Sequence, residues 1–410
     1  MPFDVYTISN TMRGAPVVNN TAASIIAALD ALLSTGWAIT TASSITVSGG
    51  VATVSLPSGQ SFEQHAIVRV LGSTLPGVDG DARVLSATAS SITFAATAAD
   101  GSYSGGGMTV RYAPHPSWER AFSGTELAVY RSIHAASSGF CYRVADPAGS
   151  VISVRGYESM TDVNTGVAPF PSLVMQGGNG AFFPKTNANN ATAIPYVIAA
   201  DHRAVVINLA PAVSSNAGFG SYFPYGFGAA IALAPGGDPW AEFVAGAGNA
   251  TVEGQNAGNH RGSLIENALH DIYPTGGMQA LARPPTGLGG AVQTATRSYI
   301  GTLATASPGG SGNDPALGSA TAAIDGKLVF SRMVLRMAAA GNVGPRALVP
   351  GVYYCPQTQA LAAAGAMNTV EGTGELAGHR LLCLPTYRPF SGPSGGAPEG
   401  AYFLDLTSWR

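Results

Sequence analysis

The chain has 410 residues and a net charge of −3, and only 10% of it is Lys, Arg, Asp or Glu, against roughly 25% in an ordinary soluble domain. Its 53 Gly and 27 Pro make up about a fifth of it, yet 46% of the residues are apolar, which excludes a disordered chain and points to short strands, many turns and a neutral surface. The 20 basic residues, only two of them Lys, are scattered, so no nucleic-acid partner is expected, and a surface so poor in charge is expected to be covered largely by other subunits, the alternative being a polar Ser/Thr/Asn surface on a monomer.

Residues 1–40 hold the clearest helix and lead into the main domain. "NTAASIIAALDALLSTG" places Ile25, Ile26, Leu29, Leu32 and Leu33 on one face. Asn20 or Thr21 is expected to cap it and Gly36 to end it. The start, "MPFDVYTISNTMRG", lacks the basic and apolar regions of a secretory leader. No apolar run approaches the roughly 20 residues that a membrane-spanning helix needs, so no membrane insertion is expected.

Residues 41–112 change character. "SSITVSGGVATVSLP", "AIVRVLG", "DARVLSATASSITFAA" and "GMTVRYA" read as strands between Gly, Pro, Asp and Ser turns, the spacing of a small sandwich. Val68, Val70 and Gly72, then Asp79 and Gly80, then Ile92, Thr93 and Phe94 form a pattern that resembles a small immunoglobulin-like module common in bacteriophage virion proteins. The resemblance implies a module inserted into a larger domain. His65, Asp79 and Asp81 are better read as turn and strand-edge residues than as metal ligands.

Residues 113–245 read as a main β-domain of strand pairs, with a hairpin turn at Asp146 to Ser150. Trp118, Phe122, Ser123, Gly124, Tyr130 and Arg131, followed by "VRGYESMTDVNTGVAPFP" with Arg155, Gly156, Tyr157, Glu158, Asp162, Gly166, Pro169 and Pro171, resemble a family of uncharacterised phage structural proteins encoded among virion morphogenesis genes. "YGFGAAIALAPGGDPWAEFVAG" resembles the same family but carries Ala229 and Ala230 where an acid usually follows the Gly. Residues 246–320 read as a loop-rich interface region that includes "ARPPTGLGGAV". Such long loops are uncommon unless they make contacts. Residues 321–410 return to strands, and "GTGELAGHRLL" and "YFLDLTSWR" continue the resemblance, which thus covers most of the chain.

A search for chemistry yields no persuasive active site. "GPSGG" around Ser394 has the spelling of a nucleophile elbow without its strand–turn–helix setting. His260, Glu266 and His270 lack zinc-protease spacing. Asp201 and His202 are adjacent, so on a strand they point to opposite faces. Glu158 and Asp162 would stand roughly 13 Å apart on a straight strand, too far for a glycosidase pair. "DVNTG" is turn grammar in which Asp162 accepts backbone N–H groups. Glu158 is free to pair with Arg155 or with a neighbouring chain. Tyr222, Phe223, Tyr225, Phe227 and Trp240 form either a core or interface stretch or, less favoured, an exposed platform for sugars. Cys141, Cys355 and Cys383 are too few and dispersed for a disulfide framework or zinc site, and no cofactor is expected.

The expected fold is mainly β: β-sandwich domains, one short N-terminal helix and long Gly/Pro-rich loops. The expected function, which the resemblance implies, is that of a non-enzymatic virion component made in the host cytoplasm. It would assemble with copies of itself and other virion proteins in the distal tail or baseplate. The alternatives are a head decoration or minor capsid protein, and a tail protein that binds a receptor or cell-surface glycan. Arg155, Glu158, Asp162, Tyr222, Phe223, Tyr225, Phe227 and Trp240 are the candidate interface or structural residues.

Overall fold

A computed structural model describes residues 3–175, 180–186, 191–211, 222–247, 263–264, 277–298, 328, 330–337, 345–355, 360–387 and 398–410. The protein is mainly β, built from large antiparallel sheets consistent with a β-sandwich; among the described residues the α-helices are short, Ser24–Asp30 near the N-terminus and Ala360–Ala364.

Strands between Trp37 and Tyr112 pair with one another. One set runs Trp37–Thr41, Thr109–Tyr112, Ile67–Leu71 and Gly80–Ala87. The other runs Gly101–Tyr103, Ser44–Ser48, Val51–Ser55 and Ser91–Ala95. Gly80–Ala87 belongs to both, because a bulge between Val84 and Ser86 lets its second half turn to Ser91–Ala95. The side chains alternate: Ile45 and Val47 are buried while Thr46 and Ser48 are exposed, as expected of strands with one face in water. This self-paired set begins at Trp37, whose ring stacks on Tyr112 at 4.5 Å.

The larger part begins with Tyr6–Ser9, which pairs with Tyr196–Ala200. From there antiparallel pairing continues through Ala204–Leu209, Phe223–Ala229, Glu242–Ala247 and Gly277–Leu281. It runs on through Val292–Ser298, Ser331–Met337, Pro345–Cys355, Pro398–Asp405 and Arg380–Tyr387. A second run joins Trp118–Gly124, Leu127–Ser132, Cys141–Ala145, Val151–Tyr157 and Ala181–Pro184. It meets the first where Phe182 pairs with Ala247. Gly277–Leu281 and Val292–Ser298 lie in the stretch read above as loop-rich, so part of that stretch is sheet.

The strands from Tyr196 to Ala247 form a middle layer. One of their faces packs with Ile25, Leu29 and Leu32, and the other with Leu335, Tyr354, Tyr402 and Leu404. Every residue of Tyr196–Ala200, Ala204–Leu209 and Phe223–Ala229 is therefore buried, and alternation disappears.

The helix spans Ser24–Asp30 and runs on into a π-helical turn, Ala31–Thr35. Ile25, Ile26, Leu29, Leu32 and Leu33 are all buried. Gly36 ends it with φ +68°, and a Cβ there would lie 2.4 Å from the Tyr112 carbonyl oxygen. The expected cap is replaced. Neither Asn20 nor Thr21 caps the helix; the Ile25 and Ile26 N–H groups donate to Asp146 Oδ2 at 2.7 and 3.1 Å. Asp146 comes from the turn between Cys141–Ala145 and Val151–Tyr157, far along the chain. Its other oxygen accepts from Lys185 Nζ at 2.5 Å, and both side chains are fully buried. Lys185 Nζ also donates to the Thr21 and Pro147 carbonyls, both at 2.7 Å, so each of its three protons has a partner.

Candidate functional site

The stretch from Arg155 to Pro171 forms a corner of the main sheet. Gly156 and Phe170 exchange backbone hydrogen bonds of 2.8 and 2.9 Å. A Cβ on Gly156 would lie 2.1 Å from Phe170 Cζ, so only glycine lets the ring lie flat against the strand. Phe170 is fully buried against Phe140 and Tyr142. Beyond Tyr157, the short strands Ser159–Met160 and Gly166–Val167 close a hairpin. Asp162 Oδ1 accepts the Asn164 and Thr165 N–H groups at 2.7 and 2.9 Å. The Asn164 amide leads in holding this carboxyl below the usual carboxylate range. Asp162 is thus a turn-forming side chain, in the manner its sequence context implied.

Glu158 does something the sequence reading missed. Its carboxylate forms a two-pronged ion pair with Arg283 Nε and Nη2, instead of pairing with Arg155. Arg155 stands opposite Arg143 in the sheet register. The Arg283 guanidinium lies over the Trp240 ring, 4.8 Å from its centroid, the geometry of a cation–π contact. Its Nη1 donates to the Gly287 carbonyl at 3.0 Å. Behind it, Arg346 Nη1 donates to the Arg283 carbonyl at 2.5 Å, while Nε and Nη2 reach Asp238 at 2.7 and 3.2 Å. Asp238 also accepts the Trp240 N–H at 3.0 Å. Gly287 is required here, since a Cβ on it would lie 2.7 Å from Trp240 Nε1.

Arg283 therefore joins three segments: the hairpin, the loop that carries Trp240 and the loop that carries Gly287. Of the candidate residues, the structure brings Glu158 and Trp240 together here. Arg283, Asp238 and Arg346 were not singled out. The available signal was Arg283 itself, an arginine entering the stiff "RPPTG" loop. Around this clamp, Val167 is 59% exposed and Leu288 76% exposed, and Leu173 and Val174 follow the corner with 61% and 93% exposure. The clamp holds a polar centre while leaving aliphatic side chains in water.

The aromatic candidates divide. Phe223, Tyr225 and Phe227 are core residues: Phe227 stacks on Tyr142 at 4.9 Å and Tyr225 on Phe183 at 5.1 Å. They offer no exposed platform for a sugar. Tyr222 is also buried but lines a cavity.

The remaining candidates serve the fold. Asp201 is buried; Oδ1 accepts the Arg203 and Ala204 N–H groups and Oδ2 pairs with Arg410 Nε at 2.6 Å. The His202 ring lies 4.2 Å from that of His134. Asp79 accepts the Gly72 and Ser73 N–H groups, and Asp81 pairs with Arg69 and accepts from Tyr6. Among the described residues, no group of three His, Cys, Asp or Glu side chains is placed to hold a metal ion. Cys141, Cys355 and Cys383 are buried thiols, and burial pushes Cys383 up to about 12. Glu242, also missed, is sealed in the core, where burial pushes its carboxyl up and Tyr142 donates to it. His260, Glu266, His270 and Ser394 lie outside the described residues. Among the described residues, no helix is long and apolar enough to cross a membrane.

No protein-family model matches the chain, and no curated protein matches it either.

Proposed function

We propose that this chain is a non-enzymatic structural component of a phage virion, placed in the distal tail or baseplate. In this reading it acts by assembling with copies of itself and with other virion proteins. The observation that carries the non-enzymatic part is the state of the candidate acids. Glu158 is held by Arg283, Asp162 by its own turn and Asp201 by Arg410 and its hairpin. A carboxylate already bonded in this way is a poor general base, because accepting a proton would weaken the structural contacts that hold it.

Assembly is supported by the charge-poor sequence and by exposed aliphatic side chains on a rigid corner, features of a surface made to be covered. The virion and its tail rest on the resemblance carried by "VRGYESMTDVNTGVAPFP". A head position is the alternative placement. A sugar-binding role has less support, since Tyr225 and Phe227 are fully buried.

The test is electron microscopy of purified particles labelled with antibody against residues 41–112. Label at the tail tip is the expected result. Label on the head overturns the placement, and unlabelled particles overturn the virion reading.

A further inference from the structure

The strand Tyr6–Ser9 pairs with Tyr196–Ala200 along one edge. The Asn10 N–H donates to the Tyr196 carbonyl at 3.2 Å. With Tyr6 opposite Ala200 and Ile8 opposite Ile198, this bond sets the alternation. The backbone groups of Tyr6 and Ile8 point to the partner strand, and those of Thr7 and Ser9 point away. The Ser9 carbonyl is taken by the Met12 N–H at 3.1 Å. Among the described residues, the Thr7 N–H, the Thr7 carbonyl and the Ser9 N–H have no partner.

A cavity of about 450 Å³ runs along this edge. Residues 7–12 form one side, with Tyr222, Met367, Leu382 and Leu406 among those that complete it, and none of the described residues that line it is charged. Tyr222 is 4% exposed, and its hydroxyl has no hydrogen-bond partner among the described residues. Thr7 and Ser9 pair with Ala199 and Val197, and Val197 lines the cavity with them. A strand added outside Thr7 would therefore place the side chain opposite Thr7 on the cavity's face of the sheet.

We propose that this slot accepts an extended, uncharged segment of another polypeptide. The segment adds to this edge as a short strand, exchanges both backbone hydrogen bonds with Thr7 and inserts one apolar side chain toward Met367, Leu382 and Leu406. A purely apolar small molecule would fill the volume but leave the Thr7 groups unpaired. A charged segment would find no counter-charge among the described lining residues. The turn from Ser9 to Met12 limits the added strand to a few residues. The Tyr222 hydroxyl is available to the segment's backbone or to a hydroxyl on it. This proposal is independent of the virion reading: peptide binding tests the edge, and particle imaging tests the placement.

The probe is the capped pentapeptide Thr-Val-Leu-Val-Thr, titrated into the full chain by calorimetry beside an analogue N-methylated at Leu. The two carry the same side chains, but the analogue lacks the N–H that would meet the Thr7 carbonyl. Saturable binding of the parent, weakened about tenfold or more in the analogue, is the expected result. Thr7→Pro should weaken parent binding similarly, because it removes the N–H offered to the peptide carbonyl; among the described residues that N–H makes no ladder bond, so the pairing with Tyr196–Ala200 is kept. Tyr222→Phe should weaken it less. Equal binding of the two peptides, or no binding of the parent at millimolar concentration, overturns the proposal. The peptide comparison needs no variant, so it stands even if Thr7→Pro fails to fold.

Discussion

The strands between Trp37 and Tyr112 and the middle layer between Tyr196 and Ala247 solve the same problem differently. In the first, "SITVS" and "VATVS" alternate buried and exposed side chains, and polar groups meet water or a cross-strand neighbour such as the Ser86–Thr93 hydroxyl pair. In the second, both faces are covered, so each polar group needs a partner supplied from elsewhere in the chain. Asn208 receives the Tyr402 hydroxyl, Asp201 receives Arg410, and Glu242 receives Tyr142. The Asp146–Lys185 pair under the helix follows the same rule. Polar substitutions should therefore be cheap in the first region and expensive in or beside the second.

The largest expected effect is at the helix cap. Lys185→Met leaves Asp146 charged and buried with only amide partners, and should destabilise by about 3–5 kcal/mol, read from urea unfolding. A change below about 1 kcal/mol would break the contrast, because it would mean that water reaches this pair.

Acid should expose a second dependence. Burial lowers His115 to about 4, its Nδ1 accepts the Ser117 N–H, and its Nε2 faces the Asp4 carbonyl. A histidine lowered from about 6.5 binds fewer protons in the folded state than in the unfolded state. Its contribution is therefore complete above pH 6.5 and is lost as pH falls toward 4, up to about 3 kcal/mol in all. His115→Asn keeps an acceptor for Ser117 and should flatten stability between those pH values. An unchanged slope would assign the acid sensitivity to other groups.

Gly156→Ala sets a Cβ against Phe170 and should cost about 1–3 kcal/mol by overpacking. It should also shift the near-UV signal of the aromatic cluster around Tyr142. The smallest effect belongs to the alternating region, where Ser86→Ala removes one exposed cross-strand hydroxyl pair and should cost roughly 0.2–1 kcal/mol. A loss as large as that of Lys185→Met would erase the distinction between the two regions.

Much of the local structure was legible in the sequence. The helix face, the stop at Gly36, the strand-and-turn rhythm after Ser44 and the turn at Asp162 all follow from interactions within a few residues. The site was legible only in part. "VRGYESMTDVNTGVAPFP" marks the corner, but its partner Arg283 comes from a loop 125 residues away. Nothing in residue spacing chooses between Arg155 and Arg283 for Glu158, because ion pairing is decided by where side chains meet after folding. The cap fails for the same reason: Asn20 and Thr21 have cap chemistry, yet a carboxylate 121 residues from Ile25 reaches its N–H.

By itself the sequence determined the class of architecture, the placement of its turns and its low charge. These depend on composition and on periods of two and of 3.6 residues, which any short window contains. The tertiary structure alone decided which charges pair, which aromatics are buried, and that Thr7 and Ser9 line a cavity on an edge that no other described strand pairs with. Those outcomes depend on strand order and on the stacking of layers, where groups hundreds of residues apart enter one low-dielectric space and must satisfy each other there.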